Sequence, residues 1–133
     1  MTTTSSTSST TLVTVFDHLK CYKVKDPNKL KGLVDLDGPQ FGLEPNCRVG
    51  KTFRFCVPVK KTVNLAATTV NGQPVTLAPV AGLSLIDDYV CYRILCKAPP
   101  PPPVSANVQD QFSTRTFTKF KPQEVCVPAH KVP

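Results

Sequence analysis

Hydrophobic and polar residues alternate along much of the chain, in short segments that prolines and glycines separate. In the segment 89–96 the odd-numbered residues share one face of a strand and the even-numbered residues share the other. The segment 19–24 alternates in the same way. No window keeps the i, i+3, i+4, i+7 apolar spacing of a helix for three turns, and 14 prolines would break helices throughout. The pattern predicts an all-β protein.

Turn residues divide the chain further. Asn71-Gly72 lies between two apolar runs and predicts a tight hairpin. Turns are also predicted at Asp37-Gly38-Pro39 and Glu44-Pro45-Asn46. The proline run 99–103 predicts a stiff polyproline II segment across one edge of the domain. Further strands are predicted at 47–57, 59–66, 74–80 and 112–120.

Two separate motifs recur at one offset of 70 residues. Residues 17–24 return as 87–94, with a Cys-Tyr pair at the centre of both copies. Residues 55–61, which begin Phe-Cys-Val-Pro, return as 125–131, which begin Val-Cys-Val-Pro. A shared offset is the signature of an internal repeat. It predicts a domain of two halves that follow an N-terminal arm: 1–16, 17–80 and 81–133.

Six cysteines in a chain of 133 residues are typical of a disulfide framework. The chain has neither a Cys-x-x-Cys motif nor a His cluster, which disfavours metal and haem sites. The same spacing separates the repeated cysteines in each half, so the simplest arrangement closes each half with its own disulfide and joins the halves with the third. That arrangement is Cys21–Cys56, Cys91–Cys126 and Cys47–Cys96.

Disulfides imply an oxidising compartment, so the protein is predicted to be secreted. A signal peptide is then expected, yet Met1 leads straight into a Ser/Thr run, which suggests a mature chain or a sequence whose true start is missing. No apolar stretch is long enough to span a bilayer. The net charge of +7 is expected to serve mainly solubility, with adhesion to polyanions as the alternative. Nucleic acid is disfavoured because the cations are dispersed and there is no Trp.

Catalytic motifs are missing from the sequence. Asp35 and Asp37 resemble the start of a calcium loop, but the third ligand and the closing Glu are not there. His18 or His130 could act as a general base, but the sequence contains no Cys or Ser motif that marks a nucleophile. The protein is therefore predicted not to be an enzyme, and no cofactor or metal is expected.

The N-terminal arm is rich in Ser and Thr, which suit a linker and also accept O-linked glycans. Its end alternates as a strand does, and it could complete the sheet of a neighbouring copy or fold back on its own domain. The predicted assembly residues are Thr10, Thr11, Leu12, Val13, Thr14, Val15 and Phe16.

The repeated blocks also carry a family resemblance. Over about 15–131 the chain resembles a secreted bacterial Cys-rich all-β domain of unknown function, found in exported and multidomain surface proteins. More loosely, it resembles subunits of environmental extracellular fibrils with an inserted N-terminal strand. The resemblance implies a bacterial surface protein and offers no catalytic residues to transfer. The blocks that carry it are 19–27 with 55–58, 89–93 with 126–129, and the connecting segments 35–41 and 110–122.

Together these features predict a disulfide-stapled β-sandwich or jelly-roll-like barrel of two pseudo-repeats with an extended N-terminal strand. The expected function is that of a structural subunit of an extracellular bacterial filament. Its partner would be another copy of itself, because an inserted arm makes a head-to-tail contact that propagates. The alternative is a monomeric secreted module that binds a carbohydrate or a polyanion.

Overall fold

The computed structural model describes residues 15–77, 80–97 and 105–133. Within these ranges the fold is all-β and sandwich-like, as predicted, with a single 3-10 turn at Leu65–Ala67. The strands are β1 (His18–Lys23), β2 (Gly32–Gly38), β3 (Gly42–Val59), β4 (Thr69–Val70), β5 (Gln73–Pro74), β6 (Asp88–Leu95), β7 (Ser105–Gln109), β8 (Thr114–Thr118) and β9 (Glu124–Ala129).

A five-stranded antiparallel sheet is the body of the molecule. Its order is β1-β3-β6-β9, and β2 also pairs with β3. Because β3 is 18 residues long, β1 and β2 lie one after the other along the same side of it, opposite β6. The pairs β4-β5 and β7-β8 form two small separate hairpins.

The internal repeat corresponds to two equivalent strand pairs in this sheet. In β1–β3, Cys21 faces Cys56, and in β6–β9, Cys91 faces Cys126. Both pairs keep the same register over six residues, and β3 and β6 then join the two pairs at the centre. The repeated motifs are therefore the facing strands of each half, and both halves share one sheet.

The three disulfides join the cysteine pairs that the repeat spacing predicted. Two of them link facing residues of neighbouring strands, and the third links Cys47 in β3 to Cys96, the residue that follows β6. The Cα–Cα distances are 3.9 Å for Cys21–Cys56, 4.2 Å for Cys47–Cys96 and 4.0 Å for Cys91–Cys126. Such short distances are typical of directly facing residues whose backbones do not hydrogen-bond to each other. The Sγ atoms of Cys56 and Cys91 lie 3.7 Å apart, so two of the disulfides form a continuous row across four strands.

Sulfur replaces aliphatic side chains at the centre of the fold. Among the described residues the only buried apolar side chains are those of Cys47, Cys56 and Cys91, with Thr52 as the one buried polar residue. All four lie in β3 or β6. The disulfides therefore contribute conformational stability that so small a hydrophobic core cannot supply.

The hairpin predicted at Asn71-Gly72 is present between β4 and β5. Both residues have positive φ, 53° and 77°, as a two-residue turn of this kind requires. The turn predicted at Asp37-Gly38-Pro39 also connects two strands, β2 and β3.

The turn predicted at Glu44-Pro45-Asn46 is wrong, because these residues lie inside β3. Here the register between β2 and β3 shifts, so that Pro45 and Asn46 stand opposite the single residue Asp35. The N–H of Asn46, which has φ 54°, donates a hydrogen bond of 2.9 Å to Asp35 Oδ1. A β-bulge and a tight turn can both contain a residue with positive φ. Here the pairing with β2 makes the segment a bulge within β3.

Strand boundaries also differ from the prediction. The strand expected at 59–66 is missing, because β3 ends at Val59, opposite the first residue of β1, and has no partner beyond it on that side. Of the strand expected at 74–80, only Pro74, the last residue of β5, lies in a strand in the described part. The strand expected at 47–57 lies within the longer β3, and that at 112–120 shortens to β8.

Candidate binding grooves and the root of the N-terminal arm

Only the end of the predicted assembly segment is described. Residues 10–14 lie outside the described ranges, whereas Val15 and Phe16 lie within them and are 37% and 42% exposed. The N–H of Leu85 donates to the carbonyl oxygen of Phe16 at 2.9 Å, and the N–H of Phe16 donates to Ser84 Oγ at 3.4 Å. The backbone N–H and C=O of Phe16 are therefore hydrogen-bonded within its own chain, so main-chain pairing with a partner falls to the residues before it.

Asp17 adds further hydrogen bonds at this attachment point, and we call Phe16 and Asp17 together the root of the arm. Its Oδ2 accepts the N–H of Gly82 at 2.9 Å, and its Oδ1 lies 2.7 Å from Nδ1 of His18. These hydrogen bonds favour the charged carboxylate and lower the pKa of Asp17, with the Gly82 N–H as the larger cause. His18 Nε2 also lies 3.4 Å from Oε1 of Gln111. The histidine is thus a local hydrogen-bonding residue at the start of β1, with no nucleophile among its described contacts.

An open groove of about 520 Å³ lies at the opposite end of the sheet, beside the β2–β3 hairpin. Its most prominent lining is the pair Phe41 and Phe120, whose ring centroids are 5.2 Å apart. Further apolar lining comes from β2, β6 and β9 and from the segment before β9. We call this the aromatic groove, and it is lined by Leu36, Asp37, Gly38, Pro39, Gln40, Phe41, Gly42, Glu44, Ile94, Phe120, Lys121, Pro122, Glu124 and Val125.

The two glutamates of the aromatic groove differ in their surroundings. Glu124 Oε2 lies 3.6 Å from Nε of Arg54, in an ion pair. Glu44 Oε2 is shielded from solvent and has no hydrogen-bond partner among the described residues. An unsatisfied buried acceptor costs about 1–3 kcal/mol. A ligand that brings a hydroxyl or N–H group into the groove would recover that cost.

A second groove of about 420 Å³ adjoins the first and has the opposite charge. It shares Ile94, Lys121 and Pro122 with the aromatic groove. Four cations line it and no acidic side chain does: Lys31, Arg48, Arg93 and Lys121. We call it the cationic groove. Its convergence was not foreseen from the sequence, in which the four residues are far apart and the charge appears dispersed.

The two aspartates of the suspected calcium loop have structural roles in the described chain. Asp35 holds the bulge at Asn46, and Asp37 faces Leu43 in the β2–β3 pair and lines the aromatic groove. The Arg115 guanidinium and two backbone N–H groups hold the pKa of Asp110 well below its usual range. His130 is exposed in the segment that follows β9.

One cluster has the composition of a metal site but not its chemistry. Ligand-type atoms of Cys91, Glu124 and Cys126 lie within 4.8 Å of one another. Both sulfurs belong to the Cys91–Cys126 disulfide, so neither can supply the thiolate that a metal ion binds. In the described ranges, no helix has the length and apolar composition needed to cross a membrane.

Comparisons with protein-family models, with curated proteins and with solved structures return no match to this chain. Its function must therefore be inferred from its own residues.

Proposed function

We propose that this protein is a secreted structural subunit that polymerises head-to-tail into an extracellular filament. The end of the N-terminal arm of one copy would dock in the aromatic groove of the next. No catalytic activity is part of this proposal.

The observation that carries the proposal is the lack of an aliphatic core. The described residues bury half-cystines and one threonine, whereas many large apolar side chains are exposed. Leu33, Leu83 and Ile86 are 66%, 91% and 88% exposed. Single exposed apolar residues are ordinary, but in the described part of this sheet the aliphatic side chains are at best partly covered, which leaves some of their hydrophobic free energy unused. A second copy is the simplest source of the missing contacts.

The arm and the aromatic groove lie at opposite ends of the sheet. The root of the arm is next to His18, which faces Val59 at the end of β3, whereas Glu44 in the groove lies near the start of β3. At about 3.3 Å per strand residue, Val59 is about 50 Å from Glu44. It is about 23 Å from Thr52, which is level with the groove residue Val125 through the pairs Thr52–Tyr92 and Tyr92–Val125.

That separation favours a neighbouring copy over the same chain. Phe16 is held at the root, and the apolar residues Leu12 and Val13 precede it by only four and three positions. A fully extended segment of four residues reaches about 14 Å. The apolar part of the arm is therefore too close to its own root to fill its own groove, and a contact between opposite ends of two copies propagates without closing.

The chemistry of the arm complements the groove. In an extended conformation Thr10, Leu12 and Thr14 share one face, which presents hydroxyl groups on both sides of an apolar side chain. The groove offers apolar and aromatic surface together with the unpartnered Glu44 Oε2. β9, whose first residues line the groove, pairs only with β6 among the described strands, so its other edge is open to an added strand.

Sedimentation of purified full-length variants tests the proposal. The arm variant Leu12→Ser/Val13→Ser should stay monomeric at concentrations where the wild type forms filaments in electron micrographs. The control Val132→Ser removes an apolar side chain that is 82% exposed outside both proposed surfaces, and it should polymerise normally.

Mixing provides a sharper test of the head-to-tail contact. The groove variant Phe120→Ser keeps an intact arm, and the arm variant keeps an intact groove. Each alone should be monomeric, and a mixture of the two should form dimers that grow no further. Filaments from the arm variant, or a mixture that remains monomeric while both variants keep wild-type circular dichroism, would refute the proposal.

The alternative of a monomeric binding module makes a different prediction in the same measurement. A monodisperse wild-type protein at all accessible concentrations would favour it. Glycans attached to the Ser/Thr-rich residues 2–11 are a further proposed component, and mass spectrometry of the native protein detects them.

A further inference from the structure

We propose that the cationic groove binds an acidic polysaccharide through its carboxylate or sulfate groups. This inference is independent of the filament proposal, because it does not require a second copy and its test uses residues that lie outside the aromatic groove.

The groove is built on paired strands rather than on loops alone. Arg48 on β3 faces Leu95 on β6, and Val49 faces Ile94. The Cys47–Cys96 disulfide joins the residues immediately next to Arg48 and Leu95, so a covalent bond holds this end of the strand pair. The backbone positions of the groove are therefore fixed before a ligand arrives, which lowers the entropic cost of binding.

The cations of the groove are available to a ligand. The ion pairs among the described residues involve His18, Arg54 and Arg115, none of which lines the cationic groove. The Arg93 guanidinium lies 4.1 Å from the centroid of the Phe53 ring, which restrains its orientation. Four like charges without a counter-charge in the lining repel one another, and an anion relieves that repulsion.

Size and lining favour a polysaccharide. A volume of about 420 Å³ lies within the range of pockets for small organic groups and suits a sugar unit or two. A neighbouring depression of about 400 Å³ is also lined by Lys31 and Arg48, so the same two cations border both depressions and a polymeric ligand that spans the two would contact them from either side. Leu30, Val49 and Leu95 offer apolar surface for the C–H faces of a sugar ring.

The same lining disfavours single-stranded nucleic acid. Binding of single strands depends on aromatic side chains on which the bases stack. No Phe, Tyr or Trp lines the cationic groove. The surface therefore fits a charged chain whose units carry hydroxyl groups and no aromatic faces.

Titration calorimetry at low salt tests this inference, with polygalacturonate and dextran sulfate as probes and neutral dextran as the blank. The variant is Lys31→Gln/Arg48→Gln, whose residues line the cationic groove and not the aromatic groove, and the control is Lys23→Gln/Lys131→Gln, which removes the same charge outside both grooves. The groove variant should lose affinity for at least one acidic probe by about tenfold, as expected for two partly exposed charge contacts. The control should lose no more than about twofold, because its charges act only at long range.

Equal losses in the two variants would overturn the inference, since affinity would then follow net charge alone. An absence of binding by the wild type to both acidic probes would overturn it too. Single-stranded DNA that binds more tightly than both polysaccharides, with the same dependence on Arg48, would assign the groove to nucleic acid and refute the proposed ligand class. Sedimentation of both variants beforehand separates this outcome from any defect in assembly.

Discussion

Replacing both cysteines of one edge disulfide tests whether the two halves of the repeat contribute equally to stability. The variants are Cys21→Ala/Cys56→Ala and Cys91→Ala/Cys126→Ala. Both disulfides close loops with a sequence separation of 35 residues, and both join an edge strand to a central strand in the same register. In each pair the half-cystine on the central strand is buried and its partner on the edge strand is exposed.

The expected loss follows from the length of the closed loop. Cross-linking a loop of this size lowers the entropy of the unfolded chain and stabilises the fold by about 4 kcal/mol on the chain-entropy model. The Cys47–Cys96 disulfide spans 49 residues, and the added loop length raises its contribution by only about 0.3 kcal/mol. Domains are stable by only about 5–15 kcal/mol, so removal of any one disulfide should cost a large share of the total.

Guanidinium denaturation of the full chain, followed by circular dichroism below the assembly concentration, measures these losses. We expect the two edge variants to lose the same free energy of unfolding to within about 1 kcal/mol, given the usual scatter of disulfide contributions. Mass spectrometry should show two remaining disulfides in each. A difference of several kcal/mol between the edge variants, or a loss near zero in either, would contradict the idea that equivalent disulfides replace the core.

Three smaller predictions concern local features. Asp35→Ala removes the hydrogen bond to the bulge residue Asn46 and should cost about 0.5–1.5 kcal/mol in the free energy of unfolding, whereas Asp35→Asn, which keeps an acceptor oxygen, should cost less; equal losses would argue against the hydrogen bond. Gly72→Val places a β-branched residue at φ 77° and should lower the melting temperature more than Gly38→Val, whose site is open; the reverse order would contradict the turn assignment. Because the pKa of Asp110 is lowered in the folded state, its contribution to stability is present above the ordinary carboxyl pKa and is lost as pH falls towards the folded value, so Asp110→Asn should flatten the acid limb of a plot of melting temperature against pH.

Of the proposed binding surfaces, the arm was predicted from the sequence and the grooves were not. The alternation of Leu12 to Phe16 marked the arm as strand-like without a structure. The grooves gave no such signal, because their residues come from distant segments. Phe41 and Phe120 meet only because the β2–β3 hairpin and the segment before β9 reach the same end of the sheet. A local sequence pattern predicts one strand at a time, whereas a groove is lined by residues from several strands that are distant in sequence.

The sequence by itself determined the all-β class, the repeat and the cysteine partners. These follow from local alternation and from equal spacing, and two segments with the same pattern at the same separation adopt the same register. Tertiary structure alone decided whether Glu44-Pro45-Asn46 turned the chain or bulged within it, because the outcome depended on Asp35 in the partner strand. It also decided that dispersed cations converge in one groove. The sequence shows how far apart the charged residues are along the chain. Electrostatic repulsion depends on the distances between them in space, and the pairing of the strands sets those distances.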